Sequence, residues 1–139
     1  MNTMTPNALH QEWTTLQYQY DSYEKFSLLI KVFSGVICSF LVLHVQLDFI
    51  IPLLCGVFWM LDGIWKTFQG RISDRLLIVE KGLLNPIQDD GMQYNSLWEV
   101  NRPSSTKLAA SYLTNALTPT VLAPHLMLIF IASMGAYLS

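Results

Sequence analysis

The chain has 139 residues, of which 52% are hydrophobic and only 13% are charged, and its formal net charge at pH 7 is −2. So few charges cannot cover a soluble globule of this size, and a slightly acidic chain without a basic stripe indicates no nucleic-acid partner. The length allows one domain, or one membrane bundle with a small appendage. These values favour a membrane protein.

Residues 1–25 predict an amphipathic helix that lies in the cytosol. Their large apolar residues recur at spacings of four, three, four and three, which is the pattern of a helix that buries one seam. The seam consists of Leu9, Trp13, Leu16, Tyr20 and Tyr23. Its aromatic rings could also stack on a base or a small ligand, but seam packing explains the spacing more simply.

Three apolar stretches approach the length of about 20 residues that crosses a bilayer core. The first covers about 26–46 and the second about 49–66, with a short turn near Leu47 between them, and the third covers 120–139. A soluble helical hairpin is the alternative for the first two stretches. We do not favour it, because no other part of the chain could cover so much apolar surface.

The basic residues predict the orientation of these spans. Lys25 and Lys31 precede or open the first span, and the other basic residues all lie between the second and third: Lys66, Arg71, Arg75, Lys81, Arg102 and Lys107. Cytoplasmic segments carry the excess of Lys and Arg. We therefore expect a multi-pass protein of the inner (plasma) membrane with its N-terminus in the cytoplasm and its C-terminus outside.

The segment 67–119 predicts a cytosolic helix, a loop and an interfacial helix. A second apolar stripe, to which Phe68 and Ile72 belong, continues the second span. We expect it to face the N-terminal seam, and two independent surface helices are the alternative. The turn cluster NPIQDDG then interrupts the pattern, and Trp98 is a candidate headgroup anchor. The helix that follows either lies on the inner leaflet or packs against the stalk.

These elements together predict an all-α fold. We expect a small multi-pass bundle of three transmembrane helices with a cytosolic stalk, formed by the extensions of the first two helices as one antiparallel hairpin. The chain shows no internal repeat and no low-complexity segment.

Charged residues inside the predicted spans indicate a polar layer. Asp62 follows the turn by about as many residues as Lys31 precedes it, so the two lie at similar depth on antiparallel helices. His125, about six residues into the third span, falls in the same layer, and Lys66 is a second partner for Asp62 at i+4. Two interpretations stay open: a structural salt bridge near the interface, or a pathway or gate for ions or protons.

Glycine recurs every seven residues along the second span and its extension, at Gly56, Gly63 and Gly70. Such a line lets another backbone approach closely, and Gly35 on the first span is a counterpart. The strip packs either the hairpin itself or a neighbouring subunit. We expect self-association, in which Asp62 or Lys31 faces a central lumen.

Motifs of enzymes are not visible in the sequence. It contains no nucleotide-binding loop, zinc-ligand spacing or activated nucleophile. Cys38 and Cys55 lie in apolar runs, where packing explains them better than reactivity. We therefore expect a protein that is not an enzyme and holds no cofactor and no metal.

The sequence favours a homo-oligomeric inner-membrane subunit of channel type, gated through its cytosolic helices by a protein or a small-molecule ligand. Its arrangement alone resembles that of small bacterial membrane effectors that oligomerise into pores. The expected partners are the lipid bilayer and further copies of the chain. The alternatives are an immunity or accessory protein that binds another membrane protein, and a membrane anchor for a cytosolic partner.

Overall fold

The computed structural model describes residues 5–44, 49–85 and 91–138, which form five α-helices and no strand. The prediction of an all-α protein is therefore confirmed. The helices are α1 (Thr5–His44), α2 (Ile50–Leu84), α3 (Tyr94–Val100), α4 (Ser105–Ala116) and α5 (Pro119–Leu138). The predicted turn near Leu47 and the centre of the NPIQDDG cluster, residues 86–90, lie outside the described residues.

The two long helices α1 and α2 form an antiparallel hairpin. They contain 40 and 35 residues, so each is about 50–60 Å long at 1.5 Å per residue. Pro52 lies in the first turn of α2, where a missing N–H breaks no helical hydrogen bond. Each helix is therefore much longer than a bilayer requires and extends beyond its most apolar part.

One end of the hairpin, which we call the stalk (5–25 of α1 and 67–84 of α2), has its own apolar core. Its buried members are Leu9, Leu16, Ile72, Leu76 and Val79, and the side chains packed against them are Trp13, Tyr20, Tyr23, Leu83 and Tyr94. Phe68, which was expected in the second apolar stripe facing the seam, lies beside this core rather than within it. Its ring meets Trp65 edge-on, with centroids 6.3 Å apart, and Arg71 lies over its face.

The other half of the hairpin packs against α5. Cys38, Cys55 and Ala132 share a buried cluster with Ile51, and the two cysteines are free thiols. Large apolar side chains on the outer surface of this half are exposed, among them Phe33, Phe40 and Leu53. An exposed apolar surface of this kind suits a lipid environment.

Two helices, α1 and α2, are long and apolar enough to cross a membrane. A third candidate arises if α4 and α5, which meet at a bend of 69°, are taken as one broken span. The multi-pass character thus rests on two or three candidate spans.

The loop predicted before α4 contains a short helix, α3, which the sequence analysis did not anticipate. Seven residues cover two turns, too few for an apolar period to be visible. Trp98, considered above as a headgroup anchor, lies against Arg71, with the guanidinium carbon 4.0 Å from its ring centroid. Gly91 precedes α3 with a φ of +75°, where its missing Cβ allows close approach to Ala8 and Leu9.

Candidate functional site

Asp62 lies fully buried at the centre of a polar cluster that joins three helices. Its Oδ2 is 2.8 Å from Nζ of Lys31 on α1 and 3.2 Å from Nε2 of His125 on α5. Its Oδ1 accepts a hydrogen bond from the hydroxyl of Ser27. We call these four residues the polar cluster.

The geometry of α1 places two cluster members next to each other. Ser27 and Lys31 are four residues apart, so they lie one turn apart on the same face. Nζ of Lys31 donates to Oγ of Ser27 at 2.7 Å, and Ser27 donates onward to Asp62. The carboxylate is thereby fixed from one helix face by a direct ion pair and a relayed hydrogen bond.

One end of the polar cluster, which we call the wet end, is partly exposed to solvent, and the other end is fully buried. The Lys31 side chain is 22% exposed to solvent, whereas the side chains of Asp62 and His125 are fully buried. Nδ1 of His125 has no hydrogen-bond partner among the described residues. If Nε2 carries the proton that Asp62 accepts, a neutral imidazole leaves Nδ1 as an unused acceptor. The Asp62 carboxylate thus contacts the partly exposed Lys31 on one side and the fully buried His125 on the other.

Three of the four residues expected in the polar layer come together. Lys66 does not join them, because its Nζ donates instead to Oε1 of Gln69 at 2.8 Å, one turn along the same helix. The sequence analysis missed Ser27 as a partner of Asp62. Its position, four residues before Lys31 on an otherwise apolar face, was the available signal.

The glycine strip contacts very little within the chain. A Cβ on Gly63 would lie 2.7 Å from Cβ of Ala116, so this glycine is what allows α4 to pack closely on α2. Nearby, Nε1 of Trp59 donates to the carbonyl of Ala116 at 2.8 Å. A Cβ on Gly35, Gly56 or Gly70 would meet nothing within 4 Å. Gly63 thus packs α2 against α4, whereas the other three glycines have open space beside them among the described residues.

A polar cleft of about 570 Å³ adjoins the cluster, between α1, α2 and the start of α5. Ser27 and Lys31 belong both to its lining and to the cluster. The remaining lining residues are Asp21, Glu24, Lys25, Leu28, Lys66, Gln69, Thr120 and Val121. The cleft gives the wet end of the cluster a route to solvent.

A second buried ion pair, also missed from the sequence, lies in the stalk. Arg75 forms two hydrogen bonds with the carboxylate of Glu12, and the backbone N–H of Met92 donates to the same carboxylate. Opposite charges flanking the two apolar stripes were the only signal for it. Tyr94 lies close by. Burial raises the pKa of its hydroxyl group, the nearby Tyr23 raises it further, and the positive charge of Arg71 lowers it.

Within the parts of the chain that the structure describes, no group of three or more His, Cys, Asp or Glu residues could hold a metal ion. Comparison with protein-family models, curated proteins and solved structures found no match.

Proposed function

We propose that the chain is a subunit of a homo-oligomeric inner-membrane protein of channel type, whose gate is the polar cluster. The observation that carries this proposal is the full burial of Asp62 between three helices at the end of a polar cleft. A carboxylate in the hydrocarbon costs about 2.5–3.5 kcal/mol on insertion scales, and charged groups at that depth commonly mark ion or proton pathways.

The proposed topology has three spans, with the N-terminus in the cytoplasm and the C-terminus outside. The distribution of Lys and Arg supports this orientation. The course of α5 supports the third span, because it touches the polar cluster through His125 and then reaches Val42, near the far end of α1, through Gly135. Over this distance α5 packs along the apolar half of the hairpin.

The described conformation corresponds to a closed state. The Asp62 carboxylate has its partners within one protomer, and its side chain has no exposed surface in the described parts of the chain. Separation of α5 from the hairpin would break the contact between His125 and Asp62 and expose both groups. Since α1 and α2 run without a break from the stalk to the cluster, a rotation of the stalk can be transmitted along them.

The open glycine positions support self-association. Gly35, Gly56 and Gly70 present backbone without a covering side chain, and small residues of this kind allow close approach between membrane helices. If this strip contacts a different face of the next copy, the same contact repeats around an axis and closes the protomers into a ring.

One observation favours a second candidate, an accessory or immunity protein that binds another membrane protein. Because Lys31 and His125 already hold Asp62 inside one protomer, the cluster can act as a structural pin. The exposed glycine strip would then contact a different protein rather than a second copy.

Ion flux in liposomes tests the channel proposal. Because the described conformation is closed, we expect a low flux through the wild-type protein. Asp62→Asn and Lys31→Ala should raise the flux roughly tenfold or more, because a loss of about 1.4 kcal/mol of closed-state stability shifts the equilibrium between closed and open states tenfold. Asp74→Asn, at an exposed position outside the cluster, is the matched control and should leave the flux unchanged.

The mass of the particle in mild detergent separates the two candidates. A ring of identical subunits with flux that depends on Asp62 supports the channel. A monomer, or a defined complex with a second protein, with flux no higher than in protein-free liposomes, would contradict it and favour the accessory protein.

A further inference from the structure

The cleft beside the polar cluster carries three ammonium groups, those of Lys25, Lys31 and Lys66. Its volume of about 570 Å³ lies within the range of small-ligand sites, roughly 300–1,000 Å³. We propose that this cleft binds a phosphate group, carried either by a lipid headgroup or by a soluble phosphate compound.

Gln69 supplies the observation that points to a ligand with hydrogen-bond acceptors. It is only 3% exposed and lines the cleft. Its Oε1 accepts from Lys66 at 2.8 Å, whereas its Nε2 has no acceptor among the described residues. A buried donor without a partner is costly. A phosphate oxygen in the cleft would satisfy it, and Lys66 already fixes the orientation of the amide.

The lysine ammonium groups in the cleft have N–H donors that can serve a ligand. An ammonium group has three N–H donors. Those of Lys31 serve Asp62 at 2.8 Å and Ser27 at 2.7 Å, which leaves one for a ligand oxygen. Lys25 is exposed and forms no ion pair among the described residues. The cleft can therefore give an anion several charge-assisted hydrogen bonds without dismantling the cluster.

The start of α5 adds a favourable dipole. Thr120 and Val121, in the first turn of this 20-residue helix, line the cleft opposite the lysines. The N-terminus of a helix carries partial positive charge and favours phosphate. The cleft thus combines side-chain donors from α1 and α2 with the positive end of the α5 dipole.

Two carboxylates limit which anion fits. Asp21 and Glu24 lie ten and seven residues before Lys31 on α1, or about 15 and about 10 Å along the helix axis. They place the anion near Lys31 and Lys66, at the end next to the cluster. They also disfavour a polyanion such as a nucleic acid, so the ligand carries a single phosphate.

Binding assays in detergent test this site with two probes. Inorganic phosphate is titrated in a thermal-unfolding assay against chloride at equal ionic strength, and phosphatidylglycerol adducts are counted by native mass spectrometry against phosphatidylcholine. Binding of either probe supports the site, and the probe that binds identifies the source of the phosphate. Failure of both probes to bind would overturn the proposal.

Gln69→Glu is the decisive variant. It keeps the shape of the side chain and the oxygen that Lys66 contacts, but replaces the unpartnered donor with a charge that repels phosphate. We expect a roughly tenfold or greater loss of affinity. Lys107→Gln, at an exposed position outside the cleft lining, should bind like wild type.

Lys66→Gln keeps the test decisive if Gln69→Glu does not fold, because it removes an ammonium group at the proposed anion position and Lys66 is only half-buried. It should also weaken binding. Equal affinity in wild type and in every folded cleft variant would overturn the proposal. Because these assays measure binding alone, they can fail while the channel proposal stands, and the reverse is equally true.

Discussion

Arg75 on α2 and Glu12 on α1 form a two-point ion pair inside the stalk, with Nε 2.8 Å from Oε1 and Nη2 2.9 Å from Oε2. Only 4% of the Arg75 side chain and 5% of the Glu12 side chain remain exposed. The backbone N–H of Met92 donates to the same carboxylate, so the pair also ties the segment before α3 to the hairpin. A planar guanidinium that meets a carboxylate at two points fixes the relative register of the two helices.

Removal of one partner of this pair should destabilise the stalk strongly. Arg75→Met leaves the Glu12 carboxylate buried without its cation, a situation that costs about 3–5 kcal/mol. The double variant Glu12→Leu, Arg75→Met should recover most of that loss, because no charge is then left buried. Thermal unfolding in detergent, followed by the helical circular dichroism signal, measures both effects.

Asp74→Asn is the control for this experiment, because Asp74 neighbours Arg75 in sequence but is exposed. It should stay within about 0.5 kcal/mol of wild type. An Arg75→Met protein as stable as the control would contradict the role assigned to the pair.

The hairpin could be predicted from the sequence because it depends on the periodicity of apolar residues and on the number of residues between each position and the turn. Apolar stripes define one face of each helix, and equal distances from the turn bring Lys31 opposite Asp62. His125 followed from the same counting along α5. Depth along antiparallel helices is therefore readable from residue numbers alone.

The remaining contacts depend on rotation about the helix axes, which counting does not provide. Ser27 and Gln69 contribute through the direction of single side chains, and Lys66 turns to Gln69 although Asp62 lies one turn away. The packing of α4 against Gly63 depends on the size of the 69° bend before α5. Pro119 marks where the new helix begins, but it does not give the angle between the two helices.

Gly63 should tolerate no larger residue. A Cβ at this position would lie 2.7 Å from Cβ of Ala116 and 3.0 Å from its Cα, and the second of these is backbone that cannot rotate away. Gly63→Ala therefore forces α4 away from α2, at a cost of about 1–3 kcal/mol. The loss should appear as a lower unfolding temperature in detergent.

Gly56→Ala is the matched control, since it lies seven residues away in the same helix and its Cβ would meet nothing within 4 Å. In an isolated protomer it should be neutral or slightly stabilising, by up to about 1 kcal/mol, because alanine favours helices over glycine. If Gly56 lies at a contact between subunits, Gly56→Leu should lower the mass of the particle without unfolding the protomer. Equal effects of alanine at Gly63 and at Gly56 would show that α4 does not pack as described.

Cysteine labelling should place the start of α2 and the start of α4 on opposite sides of the membrane. Phe49, 87% exposed at the start of α2, is expected outside the cell, and Lys107, on α4, in the cytoplasm. A membrane-impermeant maleimide should therefore label Phe49→Cys in intact cells, but Lys107→Cys only after permeabilisation. Cys38 and Cys55 are 2% and 0% exposed, so the parent protein should remain unlabelled while folded. Labelling of Lys107→Cys in intact cells would contradict the proposed orientation and place α4 on the outer side of the membrane.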